Sequence, residues 1–268
     1  TTARHVEVQV AAAAAGEVVA LGVRDCSVQR RRQKVLEESG VPGVGDDVVR
    51  AIKDAAVRLM RATPYVGLGT VEFLLDPGTG EFWFMEVNTR LQVEHTVTEE
   101  VIGLDLVKLQ LELAAGRRID FPEPVAHGYA IEARVTAEDP LDGFRPAPGD
   151  VLEWRPAVGP GLRMDTGISV GDPTPSEYDP LLVKIIARGA TREEALARLR
   201  RGVEESRLVV RNGATTLGFL RSLLARPQIR EGGADTSFVD RLVAGGGPLV
   251  EDRSAVALVL VAVALAET

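Results

Sequence analysis

Hydrophobic and polar positions alternate from the start of the chain. In residues 4–10, Val6, Val8 and Val10 fall at one parity and His5, Glu7 and Gln9 at the other. A period of two is that of a strand with one apolar and one polar face. Residues 11–15 are a run of alanine ending at Gly16, read as a loosely specified hairpin connection, and residues 17–25 return as a second strand. Residues 25–34, DCSVQRRRQK, are dense in cations and amides and read on their own as a solvated basic loop.

Past the loop at 42–45 the period changes. Ile52, Ala55, Ala56, Leu59 and Met60 recur at helical spacing, with Asp46 or Asp47 available as a cap and Thr63-Pro64 as a stop. Residues 70–88 alternate again in two runs around Asp76-Pro77-Gly78-Thr79-Gly80, turn residues that predict a β-hairpin. A helix is expected within residues 99–115, ended by Gly116 and open to division at Gly103. The prolines of Phe121-Pro122-Glu123-Pro124 mark the best internal boundary. Beyond it the pattern predicts a strand at 127–135, a turn at 138–140 and short strands to about 186. Thr191-Arg192-Glu193-Glu194 is a capping box opening a helix with Leu196, Leu199 and Val203 on one face, and another helix is expected at 216–225. The fold class is α+β with antiparallel strands, and no internal repeat is visible.

Composition narrows the class. The 268 residues are 45% hydrophobic and 26% charged, which suits a soluble globular protein with room for one or two cores. A net charge of −8 argues against a general nucleic-acid surface. A single cysteine, Cys26, rules out an internal disulfide framework and fits a reducing, cytoplasmic setting. His5, His95 and His127 are scattered, with no zinc spacing. No signal peptide is apparent, and the apolar run at 255–266 is shorter than a membrane span requires. The chain opens on Thr1 without an initiator methionine, so we expect it to come from a longer protein.

The hairpin carries the candidate chemistry. Counting outward from Gly78 puts Glu72 and Glu86 nearly opposite each other, with Asn88 and Phe84 sharing the face of Glu86. Two carboxylates and an amide oxygen are a hard donor set suited to magnesium or manganese, and close like charges need an offset. A solvated sheet face carrying ordinary acids fits the hairpin equally. Just beyond, Arg90, Gln92 and Glu94 stand at alternate positions, a cation, an amide and an acid that suit a small oxyanion.

EVNTRLQVEHTVTE closely resembles the signature of biotin carboxylase, the ATP-grasp component of biotin-dependent carboxylases. RHVEVQV, RDCSVQRRRQK, VEFLLD, MEVNTRLQVEH, EARVTAEDP and EYDPLLVKII occur in that order with family-like spacing, from Arg4 to about Leu242. The resemblance implies the C-terminal part of an ATP-grasp domain at 1–120, a biotin carboxylase C-terminal domain at 125–244, and a linker with the start of a following domain at 245–268. It implies ATP- and bicarbonate-dependent carboxylation of biotin on a carrier domain, through carboxyphosphate, in a biotin-dependent acyl-CoA carboxylase. It places Glu72, Glu86 and Asn88 on magnesium or manganese. It places Lys34, Arg90, Gln92 and the Val93 backbone on bicarbonate, Glu94 as the general base and Arg134 on the biotin enolate. His5 and Gln29 match nucleotide-contacting positions, and Leu74 flanks the adenine.

Partners implied are a biotin carboxyl carrier domain, a carboxyltransferase domain or subunit and a second copy of the parent, with Arg163 near the dimer contact. Neither nucleic acid nor membrane is implied. Arg32 stands where many members have a neutral or histidine side chain. The family's glycine-rich phosphate loop and adenine hinge would precede Thr1, so we expect this chain to be inactive alone. Without nucleotide, Glu72, Glu86 and Glu94 would crowd charge, raising the pKa of at least one and loosening the hairpin. Another ATP-grasp ligase, of carbamoyl phosphate synthetase type, and a non-catalytic dimerisation fragment are the alternatives.

Overall fold

The computed structural model describes residues 2–175, 178–246 and 249. Residues 253–267, expected to open a following domain, lie outside them. Arg4–Ala12 (β1), Val18–Arg30 (β2) and Gln33–Ser39 (β3) run as consecutive antiparallel hairpins. Asp46–Arg61 (α1) leads to the hairpin of Gly67–Leu75 (β4) and Phe82–Asn88 (β5), and then to His95–Ile102 (α2) and Leu106–Ala114 (α3). The second half contains Tyr129–Thr136 (β6), Glu138–Asp139 (β7), Arg145–Pro146 (β8), Asp150–Arg155 (β9), Leu162–Thr166 (β10) and Leu181–Gly189 (β11). Arg192–Glu205 (α4), Arg207–Arg211 (β12), Leu217–Leu224 (α5), Pro227–Arg230 (α6) and Phe238–Ala244 (α7) complete it.

Eight strands make one antiparallel sheet in the order β10-β11-β6-β3-β2-β1-β4-β5. The two halves meet within it, where β3 pairs with β6 through Leu36↔Ala133, Glu37↔Glu132 and Glu38↔Ile131. The sheet thus continues across the proline-rich boundary at 121–124. Apolar faces explain the layers. Ile52, Ala56 and Met60 of α1 cover Val6, Val8, Val10, Val71 and Phe73. Leu106, Leu109 and Leu113 of α3 pack with Leu21 and Leu68. In the second half Leu199 and Val203 of α4 and Phe219, Leu220 and Leu223 of α5 share a core with Ile131, Ala133, Val135, Val183 and Ile185.

Several expectations are corrected. The basic stretch 25–34 is not a solvated loop. It is the end of β2 and the start of β3, joined by a two-residue turn, and Cys26, Ser27, Gln29 and Arg30 are buried. Both turn residues are left-handed, Arg31 at φ 47 and Arg32 at φ 70. That geometry matches the right-handed twist of the strands but normally calls for Asn-Gly, which is why composition hid it. Ala11 and Ala12 lie in β1 and are buried rather than loose. Gly45, not Asp46 or Asp47, is the N-cap of α1; the two aspartates sit in the first turn, where they favour the helix dipole. Gly103 does divide the expected helix, capping α2 at φ 69.

The β4–β5 register holds one more correction. Thr70↔Asn88, Val71↔Val87 and Glu72↔Glu86 pair directly, but the next pair is Phe73↔Phe84. Met85 is therefore an extra residue, a bulge, and everything beyond it changes face. Phe84 packs edge-on against Phe73 at 6.3 Å instead of sharing the face of Glu86.

Candidate functional site

A cavity of about 920 Å³ opens over the polar face of the sheet, and all twelve residues singled out from the sequence line it. They are His5, Gln29, Lys34, Glu72, Leu74, Glu86, Asn88, Arg90, Gln92, Val93, Glu94 and Arg134. His5 is the β1 residue that lines it, and Glu7 and Gln9 share its parity. The even-numbered valines of β1 are buried on the other side, so every residue of the strand is covered.

Glu72 is the best-partnered carboxylate. His5 Nε2 lies 2.6 Å from Oε2, while Asn88 Nδ2 and Gln92 Nε2 donate to Oε1 at 2.8 and 2.7 Å. Glu94 forms the second centre. Lys34 Nζ donates to its Oε1 and Arg134 Nη2 to its Oε2, the latter at 2.8 Å. Lys34 also donates to Glu7 Oε2 at 2.6 Å and stands 3.7 Å from Glu72. Lys34 is thus shared by three carboxylates.

Burial raises the energy of charge, yet the neighbouring cations prevail. Burial pushes the Glu72 carboxyl up, but the His5 hydrogen bond and Lys34 lower it to about 2. Burial acts likewise on Glu94, and Lys34, Arg24 and Arg134 hold it well below the usual carboxylate range. The expected rise does not occur at either group, because the cations and amides that would meet the substrates already neutralise them. Lys34 is disfavoured as a cation by burial, but the carboxylates of Glu7, Glu94 and Glu72 keep it charged.

The remaining candidates are placed less centrally. Glu86 is exposed, with Asn88 Nδ2 at 3.3 Å. Arg90 is exposed and donates to the Leu91 carbonyl at 3.3 Å instead of joining the Glu94 cluster. The Val93 carbonyl accepts from Lys184 Nζ at 2.9 Å. Gln29 stands opposite Lys34 beside the β2–β3 turn, and Leu74 opposite His5. Arg32 lies at the rim.

The donor set fits a hard divalent cation. Glu72 and Glu86 are paired carboxylates, and Asn88, whose amide orientation is assigned from its hydrogen bonds, presents its oxygen if the amide is turned over. His5, Glu7 and Glu72 also bring ligand atoms within 4.8 Å of one another. Glu7, however, is already bonded by Arg24 Nε at 2.6 Å and by Lys34, so this second set is an ion-pair network.

Sequence reading missed the supports beneath the site. Arg24 is fully buried and donates to Glu7, to Gln9 Oε1 and to Thr98 Oγ1, the last two at 2.9 Å. Glu37 accepts from Arg134 Nε at 2.5 Å. The signal for Glu7 was present in its shared parity with His5 and Gln9. Nothing in a single sequence marks Glu37, which sits one strand over from its partner.

The chain is similar to known proteins along most of its length. Residues 1–121 match the family described as carbamoyl-phosphate synthase L chain, ATP binding domain, and residues 132–241 the biotin carboxylase C-terminal domain. The chain is 43% identical over 241 residues to the biotin carboxylase of Nostoc sp., covering 89% of this chain and 53% of that protein. It is 44% identical over 227 residues to the biotin-dependent acyl-coenzyme A carboxylase alpha3 subunit of Mycobacterium leprae, covering 84% of this chain and 38% of that one. The biotin carboxylase domain of Hydrogenobacter thermophilus 2-oxoglutarate carboxylase was solved with MgADP, ADP and bicarbonate. It superposes with a TM-score of 0.85 at 34% identity, over 89% of this chain and 52% of that one. The chain spans about half the length of such relatives.

Proposed function

We propose that this chain, which belongs to the biotin carboxylase family, supplies the bicarbonate and biotin half of a site that carboxylates carrier-bound biotin with ATP and bicarbonate. The fold is α+β, the C-terminal half of an ATP-grasp domain followed by a biotin carboxylase C-terminal domain. In this reading the first occupies residues 1–120 and the second residues 125–244. The observation that carries the proposal is the state of Glu94, a 2% exposed carboxylate held by Lys34 on one oxygen and Arg134 on the other.

In that grip Glu94 is a weak base. Lys34, Arg90 and Gln92 are the groups proposed to take bicarbonate, and Arg134 the biotin ureido oxygen. When bicarbonate takes Lys34 and the neutral ureido oxygen accepts from Arg134, Glu94 loses part of its counter-charge. Its basicity rises, and it can accept the bicarbonate proton as the bicarbonate oxygen attacks the γ-phosphorus of ATP and ADP leaves. The product, carboxyphosphate, then delivers its carboxyl group to the biotin ureido nitrogen as its C–O bond to phosphate breaks, and the released phosphate takes the proton of that nitrogen. Arg134 suits the enolate because a guanidinium meets a developing oxyanion with fixed donors. His5, Gln29 and Leu74 are assigned to the nucleotide. Magnesium or manganese held by Glu72, Glu86 and Asn88 supplies neutralisation of phosphate charge.

The parent protein is proposed to be a cytoplasmic acyl-CoA carboxylase with a carrier domain and a carboxyltransferase domain or subunit. Arg163 of β10, paired with Glu99 at 2.8 Å and Asp165 at 2.8 Å, is assigned to its homo-oligomer contact. Among the described residues no helix is long and apolar enough to cross a membrane. A ligase of carbamoyl phosphate synthetase type is disfavoured by the match at 132–241. The test is ATP hydrolysis with free biotin, bicarbonate and magnesium, run on the parent protein and on this chain alone. Biotin-dependent turnover is expected from the parent only. A parent that hydrolyses ATP with no response to biotin would overturn the reading.

A further inference from the structure

Glu37 and Glu132 are directly paired across β3 and β6, and both are fully buried. Each uses one oxygen. Glu37 Oε1 accepts from Arg134 Nε, and Glu132 Oε2 accepts from Thr96 Oγ1. Glu37 Oε2 and Glu132 Oε1 are buried with no donor. Two charged carboxylates at one cross-strand position, each with an orphaned oxygen, are a poor arrangement, since like charges repel and an unpaired buried acceptor is costly. One proton on the pair removes the repulsion between two like charges.

We propose that Glu37 and Glu132 share one proton at neutral pH, and that this half-neutral pair is the positioning element that aims Arg134 at the cavity. The proposal rests on the role given above to Arg134 for its second clause only. The groups facing the pair are Arg134 on β6, Lys184 on β11, Thr96 at the start of α2, and Glu94 and Lys34 from the cavity side. Asp165 on β10 lies 3.3 Å from Lys184 and engages part of its charge, and His95 turns its ring to the Gln92 carbonyl. Arg134 is thus the cation bonded to both Glu37 and Glu94. With one proton on the pair, Arg134 balances Glu37 and still directs Nη2 at Glu94. With none, a second negative charge behind the guanidinium draws it back from the cavity. Burial, with Glu37 opposite, pushes the Glu132 carboxyl up to about 8, consistent with the proton resting there.

The decisive test is infrared spectroscopy of the 268-residue chain through a titration from neutral to alkaline pH. We expect a protonated-carboxyl band at pH 7 that disappears on titration and is absent from Glu132→Gln. No such band, or a band unchanged in Glu132→Gln, overturns the shared proton; the wild-type titration needs no variant to fold. In the parent protein, Glu37→Gln is expected to lower kcat/KM for biotin roughly 10-fold or more, as loss of an orienting partner does. In the unsubstituted parent, loss of the shared proton is expected to lower that parameter at alkaline pH, and Glu132→Gln is expected to abolish that fall. Unfolding-temperature shifts with an unchanged pH profile would make the pair structural and overturn the positioning role. If the parent does not carboxylate biotin, the infrared result still decides the proton.

Discussion

Glu72 and Glu86 face each other across β4 and β5 at the last directly paired position before Met85 bulges out of register. One is buried and saturated with hydrogen bonds; the other is exposed. The exposed one is free to respond to a cation. Glu86→Gln keeps the shape and removes the charge. In the parent protein the magnesium concentration for half-maximal activity should rise on the order of 10-fold or more, the value of a charge-assisted contact. A magnesium titration of ATP hydrolysis checks this, and an unchanged midpoint would remove Glu86 from the cation site.

Glu94→Gln should act mainly on kcat. The amide still fills the place between Lys34 and Arg134 but cannot take a proton. General-base contributions are on the order of 10²–10⁴-fold. Steady-state kinetics at saturating bicarbonate should show that loss with KM little changed.

Glu7 lies between Arg24 and Lys34 with its side chain fully buried. Glu7→Gln leaves two buried cations short of one counter-charge. Breaking such a pair costs roughly 3–5 kcal/mol. Urea unfolding should show a loss of unfolding free energy of that size, whereas a change under about 1 kcal/mol would mean that Gln9 and the remaining acids compensate.

Acid should unfold the chain late. The folded Glu72 carboxyl is lowered to about 2, and Glu94 is lowered as well. Carboxyls depressed in the folded state stabilise above their unfolded value, near 4.3, and lose that contribution as pH falls through the folded one. Stability from these two groups should be constant from pH 7 to about 5 and should decline progressively from there toward pH 2. Urea midpoints at intervals across that range would show it, and a steep loss between pH 7 and 5 would contradict it.

The Arg31–Arg32 turn is built against its own side chains. Replacing the pair with Asn-Gly should stabilise the chain by roughly 1 kcal/mol per relieved residue. Thermal unfolding tests this. No gain would mean that contacts of the two arginine side chains offset the strain, since the Arg31 amide contact with Asp240, at 3.4 Å, is made by the backbone and survives the replacement.

The period of two in β1 and β4 made the floor and the metal edge legible, because parity alone decides which side chains share a face. Motif resemblance then collected twelve of the residues that line the cavity. Parity failed where the backbone adds a residue, as at Met85, and where an unusual turn carries ordinary side chains, as at Arg31 and Arg32. Arg24 and Glu37 were invisible for another reason. Their roles depend on which strands are neighbours, and β3 beside β6 joins positions 97 residues apart in Glu37 and Arg134.

Continuity of the eight-stranded sheet has a mechanical consequence. Adjacent strands are spaced about 4.8 Å apart, so β1 and β6 stand three steps, or about 14 Å, from each other. The sheet is a ruler between the His5 end of the cavity and the Arg134 end, graduated by backbone hydrogen bonds rather than by side-chain reach. A hinge between the two halves of the chain would have to break the β3–β6 ladder. Any closing stroke over the reactants must therefore come from parts that ride above the sheet, against a floor whose length does not change.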